Sequence, residues 1–154
     1  LSKGLGAPVG SLVLGSAAFI RQARRTRKIL GGGMRQAGVL AAAGHYALQH
    51  HVRRLAEDHA NLHTLASGLR AVGENHPVLR GRITVHPWQT NILFTDVQAD
   101  VAPAFTAWLA LHQIRVTSSL YGGQSRLRWV THLDVNAADV QAALDCVARF
   151  TLPG

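Results

Sequence analysis

The chain has 154 residues, 47% of them hydrophobic and 16% charged, which is typical of a folded globular protein and excludes a disordered chain. Sixteen basic and eight acidic residues give a formal charge of +8, so the chain either contacts an anionic partner or carries a local positive excess that another segment offsets. A single cysteine, Cys146, excludes an internal disulfide framework and indicates a reducing compartment, so we expect a cytoplasmic protein with Cys146 as a small core residue.

The first stretch of the chain surrounds one charged residue. Lys3 lies in a glycine-rich run, residues 1–11, and residues 4–20 carry no charge. Glycines and Pro8 interrupt any helix there, and the heaviest positive charge follows the run instead of preceding it. We therefore expect neither a signal peptide nor a membrane span. Residues 9–14, a short apolar run bounded by glycines, predict a buried strand.

A basic helix is predicted next. Ser16 is suited to cap a helix that runs to about residue 30, with Phe19, Ile20 and Ala23 facing inward. A solvated face is the favoured interpretation of its polar side, and a phosphate or nucleic-acid site is the alternative. That side carries Arg21, Arg24, Arg25, Arg27 and Lys28. The three glycines at 31–33 end the helix, and they form no P-loop because the Gly-Lys-Ser/Thr ending is absent.

Two further helices are predicted, at residues 39–50 and 52–72. The first has small residues at 41–44, which permit close packing against another element and suggest burial in a larger domain or a subunit interface. The second is long enough to link two domains. Its apolar stripe consists of Leu55, Leu62, Leu65, Leu69 and Val72, and its water-facing residues are Arg53, Arg54, Glu57 and Asp58. Four histidines here lack the cysteine or further carboxylate that a zinc-finger type of site needs: His50, His51, His59 and His63.

Beyond Gly73 and Pro77 the pattern changes to alternating strands and helices. Strands are predicted at residues 83–86 and 91–95, and again at 114–117 and 126–131 around a turn at 121–123. A helix opens at Asp100 and runs to about His112, and Asn136 caps the last helix. The helix that opens at Asp100 is predicted to face inward with Val101, Phe105, Trp108 and Leu109. The last helix is predicted to face inward with Val140, Leu144 and Val147. This order predicts a compact α+β unit.

Three segments carry a family resemblance: the lysine run at 1–11, Lys-Ile-Leu-Gly-Gly-Gly-Met-Arg-Gln at 28–36, and Arg-Trp-Val-Thr-His-Leu-Asp-Val at 128–135. Together they resemble the threonine aldolases, of the low-specificity L-threonine aldolase and aromatic amino acid beta-eliminating lyase family. The resemblance implies an α/β protein with an α+β C-terminal domain, similar to the C-terminal part of a fold-type I, aspartate aminotransferase-like enzyme that uses pyridoxal 5'-phosphate (PLP). Residues 1–72 would then be a remnant of the PLP-binding large domain with its linking helix, and residues 73–154 the small domain.

The resemblance also implies roles for four residues. Lys3 matches the lysine that forms the Schiff base with PLP, and Gly4 and Gly6 would let the backbone pass close to the cofactor ring. Lys28 and Arg35 match residues that help to form the active site, the arginine near the cofactor phosphate and in part supplied by a neighbouring subunit. Arg128 matches the arginine that binds the substrate α-carboxylate, which a planar guanidinium recognises through two parallel hydrogen bonds. The implied reaction cleaves L-threonine, L-allo-threonine and related β-hydroxy amino acids to glycine and an aldehyde.

The resemblance further implies a homotetramer and a missing N-terminal segment. The base, the stacking histidines, the aspartate on the pyridine nitrogen and the main phosphate-binding loop of this family all precede the lysine, so we expect the chain to be inactive alone. His132 and the other histidines are interpreted as surface or packing residues. The alternatives are a related lyase or transaminase of the same fold, or a non-catalytic basic fragment that binds nucleic acid. Only Phe19 lies near the arginine cluster, which argues against single-strand stacking and favours a protein without nucleic acid.

Overall fold

The computed structural model describes residues 1–152, and the chain divides into two compact units, Leu1–Arg54 and Leu55–Gly154. The sequence suggested a boundary between residues 72 and 73, but the compact units separate earlier, before the long helix begins. The assignment of residues 1–72 to a large-domain remnant stays a prediction. Within residues 1–152, no helix combines the length and the apolar composition that crossing a membrane requires.

The Leu1–Arg54 unit contains two helices, α1 (Ala17–Ile29) and α2 (Gly38–His50). The Ser16 hydroxyl caps α1 by accepting a hydrogen bond from the Phe19 backbone N–H at 3.3 Å, as the sequence predicted. No residue of α1 is buried, and Phe19 is 49% exposed, so the prediction that Phe19 faces inward is wrong within this unit. Both predicted helices are thus confirmed; on the inner face assigned to α1, Ile20 and Ala23 are half-buried and Phe19 is exposed.

The predicted strand at residues 9–14 is wrong. This segment has no regular structure, and four of its apolar side chains are exposed: Val9, Leu12, Val13 and Leu14. A strand is stable only when its backbone groups pair with a neighbouring strand. The Leu1–Arg54 unit, all of which the structure describes, holds no other strand. The apolar pattern was identified correctly, but its pairing partner is absent from this unit.

The Leu55–Gly154 unit is a four-stranded antiparallel sheet with three helices. Its elements in chain order are α3 (Leu55–Asn75), β1 (Ile83–Val85), β2 (Ile92–Val97), α4 (Ala102–Leu111), β3 (Thr117–Tyr121), β4 (Gln124–Val130) and α5 (Ala137–Ala148). The strands are ordered β1-β2-β4-β3 across the sheet. The α+β unit that the sequence predicted for this region is confirmed.

The core of this unit lies on one face of the sheet. The predicted stripe of α3 is confirmed, since Leu62, Leu65 and Leu69 are buried there. The strands contribute the alternate residues of β2 and β4, and α4 and α5 contribute Phe105 and Val147. Cys146 is buried, as expected for a small core residue. Other fully buried side chains are Leu79, Leu93, Val97, Leu109, Leu127 and Phe150.

Three local predictions need correction. Asp58 was expected to face water but is fully buried, and its backbone carbonyl accepts a hydrogen bond from Thr131 Oγ1 at 2.7 Å. The third strand begins at Thr117 instead of residue 114, because residues 114–116 do not pair with β4. Val101, not Asp100, is the N-cap residue of α4, and Asp100 instead lies 3.3 Å from Arg82. By contrast, Asn136 and Asp139 form the full capping box of α5.

Candidate active site

Lys3 lies in a turn whose backbone is fixed by the end of α2. The Lys3 carbonyl accepts a hydrogen bond from the Gly6 N–H at 2.8 Å, and Gly6 has a φ of 68° that favours glycine. The next two carbonyls are also engaged: that of Gly4 accepts from Arg54 Nη1 at 3.3 Å, and that of Leu5 accepts from His51 Nδ1 at 2.7 Å. The backbone after Lys3 is therefore held in place while the Lys3 side chain stays exposed.

The small residues of α2 allow this loop to approach the helix. Gly44 and Ala47 are the buried residues of α2. A Cβ atom at Gly44 would lie 3.2 Å from Leu1 Cδ1, which is tighter than ordinary van der Waals contact. The close packing that the small-residue pattern predicted is confirmed for this position, and the element that packs there is the loop carrying Lys3.

Lys28 and Arg35 lie elsewhere in the same unit. Lys28 is in the last turn of α1, and Arg35 is in the segment that joins α1 to α2; both side chains are exposed. Within residues 1–54, no hydrogen bond or ion pair joins Lys3, Lys28 and Arg35 to one another. Their shared role in one site stays a prediction.

The positive charge of the chain is concentrated in the Leu1–Arg54 unit. This unit holds nine of the sixteen basic residues, whereas all eight acidic residues lie in the Leu55–Gly154 unit. The nine are Lys3, Arg21, Arg24, Arg25, Arg27, Lys28, Arg35, Arg53 and Arg54. The Leu1–Arg54 unit therefore carries a formal charge of +9 and the Leu55–Gly154 unit one of −1, so the positive excess is local. Such a surface favours an anionic ligand or an acidic neighbouring segment.

Arg128 lies in the other unit, on β4. Side chains alternate along a strand, so Arg128 is on the face opposite to the buried Leu127 and Trp129. We call this side of the sheet the outer face. The residues across from Arg128 on the neighbouring strands are Phe94 and Thr117. Arg128 is half-buried, and within residues 1–152 its guanidinium has no hydrogen bond or ion pair.

The outer face also holds a charged cluster that the sequence reading missed. Arg126 Nε and Nη2 donate to the two carboxylate oxygens of Asp96, at 2.7 and 2.8 Å. His86 Nε2 lies 2.7 Å from Asp96 Oδ2, and the Arg126 guanidinium carbon lies 3.8 Å from the centre of the Tyr121 ring. The hydrogen bonds from Arg126 lower the pKa of Asp96 to about 2, against the opposing effect of burial. The same pairing raises the pKa of Arg126.

A signal for this cluster was present in the sequence. Asp96 directly follows the predicted strand at residues 91–95, and Arg126 is the first residue of the predicted strand at 126–131, so both charged residues stand at the ends of predicted strands. What the sequence does not specify is the register that places Asp96 directly opposite Arg126.

A family profile described as "Beta-eliminating lyase" matches residues 1–100, more than half of the chain. This chain belongs to the beta-eliminating lyase family. It is 42% identical over 152 residues to the "Probable low-specificity L-threonine aldolase 2" of Arabidopsis thaliana, covering 97% of this chain and 41% of the relative. It is 44% identical over 136 residues to the "Low specificity L-threonine aldolase" of Escherichia coli K12, covering 88% of this chain and 37% of the relative. The chain thus spans about two fifths of the length of these curated relatives.

A solved structure confirms the fold class. The 8-amino-7-oxononanoate synthase of Francisella tularensis matches with a TM-score of 0.61 and 18% identity, covering 87% of this chain and 39% of that chain. At this identity the likeness shows the fold alone. That fold is the fold-type I architecture of PLP enzymes, which the resemblance implied.

The residues of the Leu1–Arg54 unit fit PLP in two respects. Lys3 offers a primary amine on a fixed loop, and Lys28 and Arg35 offer cations of the kind that bind phosphate. Residues 1–54 contain no Asp or Glu, so this unit offers no carboxylate to a pyridine nitrogen. The chemistry of its donors therefore suits covalent attachment and phosphate binding, and the electronic tuning of the ring requires a residue from outside this unit.

Proposed function

We propose that this chain is part of a PLP-dependent carbon–carbon lyase that cleaves L-threonine, L-allo-threonine and related β-hydroxy amino acids to glycine and an aldehyde. The observation that carries the proposal is the 42–44% identity to low-specificity threonine aldolases over 97% and 88% of this chain. Because the chain spans about two fifths of those relatives, the activity is proposed for the complete enzyme and not for this polypeptide alone.

Each candidate residue has a role in this proposal. Lys3, on a loop whose backbone is held by hydrogen bonds, would hold the cofactor covalently through Nζ. Lys28 and Arg35 would neutralise the cofactor phosphate. Arg128 binds the substrate α-carboxylate and so fixes the orientation of the amino acid. Bound PLP supplies the electron sink that makes carbon–carbon cleavage possible.

The proposal includes the setting of the complete enzyme. We propose that a further segment supplies the base, the carboxylate and the main phosphate-binding loop, and that the assembled protein is a homotetramer in the cytoplasm. The absence of acidic residues from residues 1–54 supports this setting, because an acidic neighbour would offset the local positive charge.

Reductive trapping tests the role of Lys3. The chain has only two lysines, Lys3 and Lys28, so the mapping distinguishes between two side chains. The full chain is incubated with PLP, reduced with borohydride, digested and mapped by mass spectrometry. We expect the pyridoxyl group on Lys3, and we expect Lys3→Ala to abolish the modification while the matched Lys28→Ala variant retains it. Modification of Lys28 in preference to Lys3 would overturn the assignment.

A further inference from the structure

Two arginines share the outer face of β4, yet only one of them is open to a ligand. Arg126 and Arg128 are separated by the buried Leu127, so both lie on the outer face. Two positions along a strand correspond to about 7 Å. Two available guanidinium groups at this spacing would form a receptor for two carboxylates, and one available group forms a receptor for a single carboxylate.

Asp96 occupies the guanidinium of Arg126, one of the two arginines. The Arg126 guanidinium binds both Asp96 oxygens in parallel, at 2.7 and 2.8 Å, in the two-bond geometry that is strongest for this pair. Tyr121 covers the guanidinium at 3.8 Å from its ring centre. The Asp96 side chain is 11% exposed and that of Arg126 is 23% exposed, so little solvent competes with the pair.

His86 adds a third member to this cluster. His86 Nε2 is 2.7 Å from Asp96 Oδ2 and 3.3 Å from Arg126 Nη2. A carboxylate only accepts hydrogen bonds, so Nε2 carries the hydrogen and donates it to Asp96. Nε2 therefore cannot accept a hydrogen bond from Arg126, and both partners of Asp96 donate to the carboxylate. Both carboxylate oxygens of Asp96 thus accept hydrogen bonds, and the Arg126 guanidinium donates to Asp96.

Arg128 differs from Arg126 in its neighbours and in having no ion pair within the described residues. Its neighbours on the adjacent strands, Phe94 and Thr117, carry no charge, and within the described part of the chain its guanidinium has no ion pair. Phe94 is 39% exposed, so the surface next to Arg128 is open and apolar. A carboxylate that reaches the outer face thus meets one uncommitted guanidinium.

We propose that Asp96 is a specificity-determining positioning residue: by holding Arg126 it leaves Arg128 as the single carboxylate receptor of the outer face, and it restricts the ligand to amino acids with one carboxylate. This inference rests on the proposed function, and it narrows the substrate class to β-hydroxy amino acids whose side chains carry no carboxylate. A second carboxylate on the ligand would have to displace Asp96 from Arg126, which would leave a largely buried carboxylate without its guanidinium partner.

Phenylglyoxal, which modifies accessible arginines, tests the proposal on the full chain without any cofactor. Modification of Arg126 and Arg128 is followed by peptide mass mapping, with acetate or succinate as the protecting ligand. In the wild type we expect Arg128 to react faster than Arg126, and we expect acetate and succinate to protect Arg128 equally well per carboxylate. In Asp96→Asn we expect Arg126 to react about as fast as Arg128, and succinate to protect both about tenfold more effectively than acetate.

One matched variant completes the test. Arg126→Gln should leave the protection of Arg128 by acetate unchanged, because Arg126 takes no part in binding it. Equal reactivity of the two arginines in the wild type, or loss of acetate protection in Arg126→Gln, would overturn the proposal. The wild-type comparison needs no variant, so it decides the question even where Asp96→Asn does not fold. Because no step uses PLP or cleavage, a failed trapping at Lys3 would leave these results standing, and the converse also holds.

Discussion

At the scale of single residues, Asp96 is a carboxylate whose ionised form is stabilised by its neighbours. Its pKa falls from 3.8 to about 2, mainly through the hydrogen bonds from Arg126 and also through His86. A carboxylate with a lowered pKa in the folded state stabilises the fold at pH values above its unfolded pKa. That stabilisation is lost as the pH falls from about 4 to about 2.

Replacing Asp96 by asparagine removes the charge that Arg126 and His86 stabilise. We expect this variant to be less stable than the wild type by roughly 2 kcal/mol at pH 7, the free energy that corresponds to the lowered pKa. The difference in free energy of unfolding should shrink as the pH falls below about 4, as measured by urea denaturation across that range. Asp134→Asn is the matched control, because the Asp134 side chain is 85% exposed and its replacement should change stability little. A pH-independent difference for Asp96→Asn would contradict the electrostatic explanation.

The residues of the candidate site divide according to how far the sequence could predict them. Lys3, Lys28, Arg35 and Arg128 were found because short motifs around them resemble a known family. The support of the Lys3 loop was not found, since His51 and Arg54 are 46 and 50 residues distant from the carbonyls they bind. No local pattern encodes such long-range hydrogen bonds.

At the scale of elements, the helices were predicted more reliably than the strands. Helical periodicity is local, so α1 and α2 were identified nearly to the residue, α5 at its N-cap residue Asn136, and α3 with a small shift at each end. Strands depend on partners elsewhere in the chain. The apolar run at residues 9–14 has no partner in its unit, and β3 begins only at Thr117, where its pairing with β4 begins.

The packing of α3 against α5 depends on a glycine. A Cβ atom at Gly68 would lie 2.5 Å from Leu144 Cδ2 and 2.6 Å from Leu144 Cδ1. Alanine is the better helix former, by about 1 kcal/mol, so helix propensity alone predicts that Gly68→Ala is stabilising. Overpacking typically costs about 1–3 kcal/mol, and we expect this effect to prevail.

The second prediction is therefore that Gly68→Ala destabilises the chain by about 1 kcal/mol in thermal or urea unfolding. In the background of Leu144→Ala, where the contact is removed, the same substitution should be neutral or stabilising. Gly38→Ala is the control without steric conflict, because no atom lies within 4 Å of a Cβ at that position. Additive effects of Gly68→Ala and Leu144→Ala would show that the two side chains do not compete for space.

At the scale of the whole molecule, charge and apolar exposure both set the Leu1–Arg54 unit apart. It holds nine basic and no acidic residues, and none of the residues of α1 is buried. Exposed apolar patches in soluble proteins commonly mark surfaces that another segment or subunit covers. These features agree with the proposal that the unit functions as part of a longer enzyme. The periodicity of the sequence predicted an inner face for α1, but periodicity does not specify which segment packs against that face.

The most direct test of the proposed function measures cleavage of L-threonine to glycine and an aldehyde. The 154-residue chain is assayed with PLP, alone and after co-expression with the part of the Escherichia coli relative that precedes the matched region. We expect no activity above that of free PLP for the chain alone, and turnover in the co-expressed protein that disappears in Lys3→Ala but not in a control, Glu74→Gln, at an exposed position of α3. Efficient turnover by the isolated chain, or unchanged turnover in Lys3→Ala, would contradict the account.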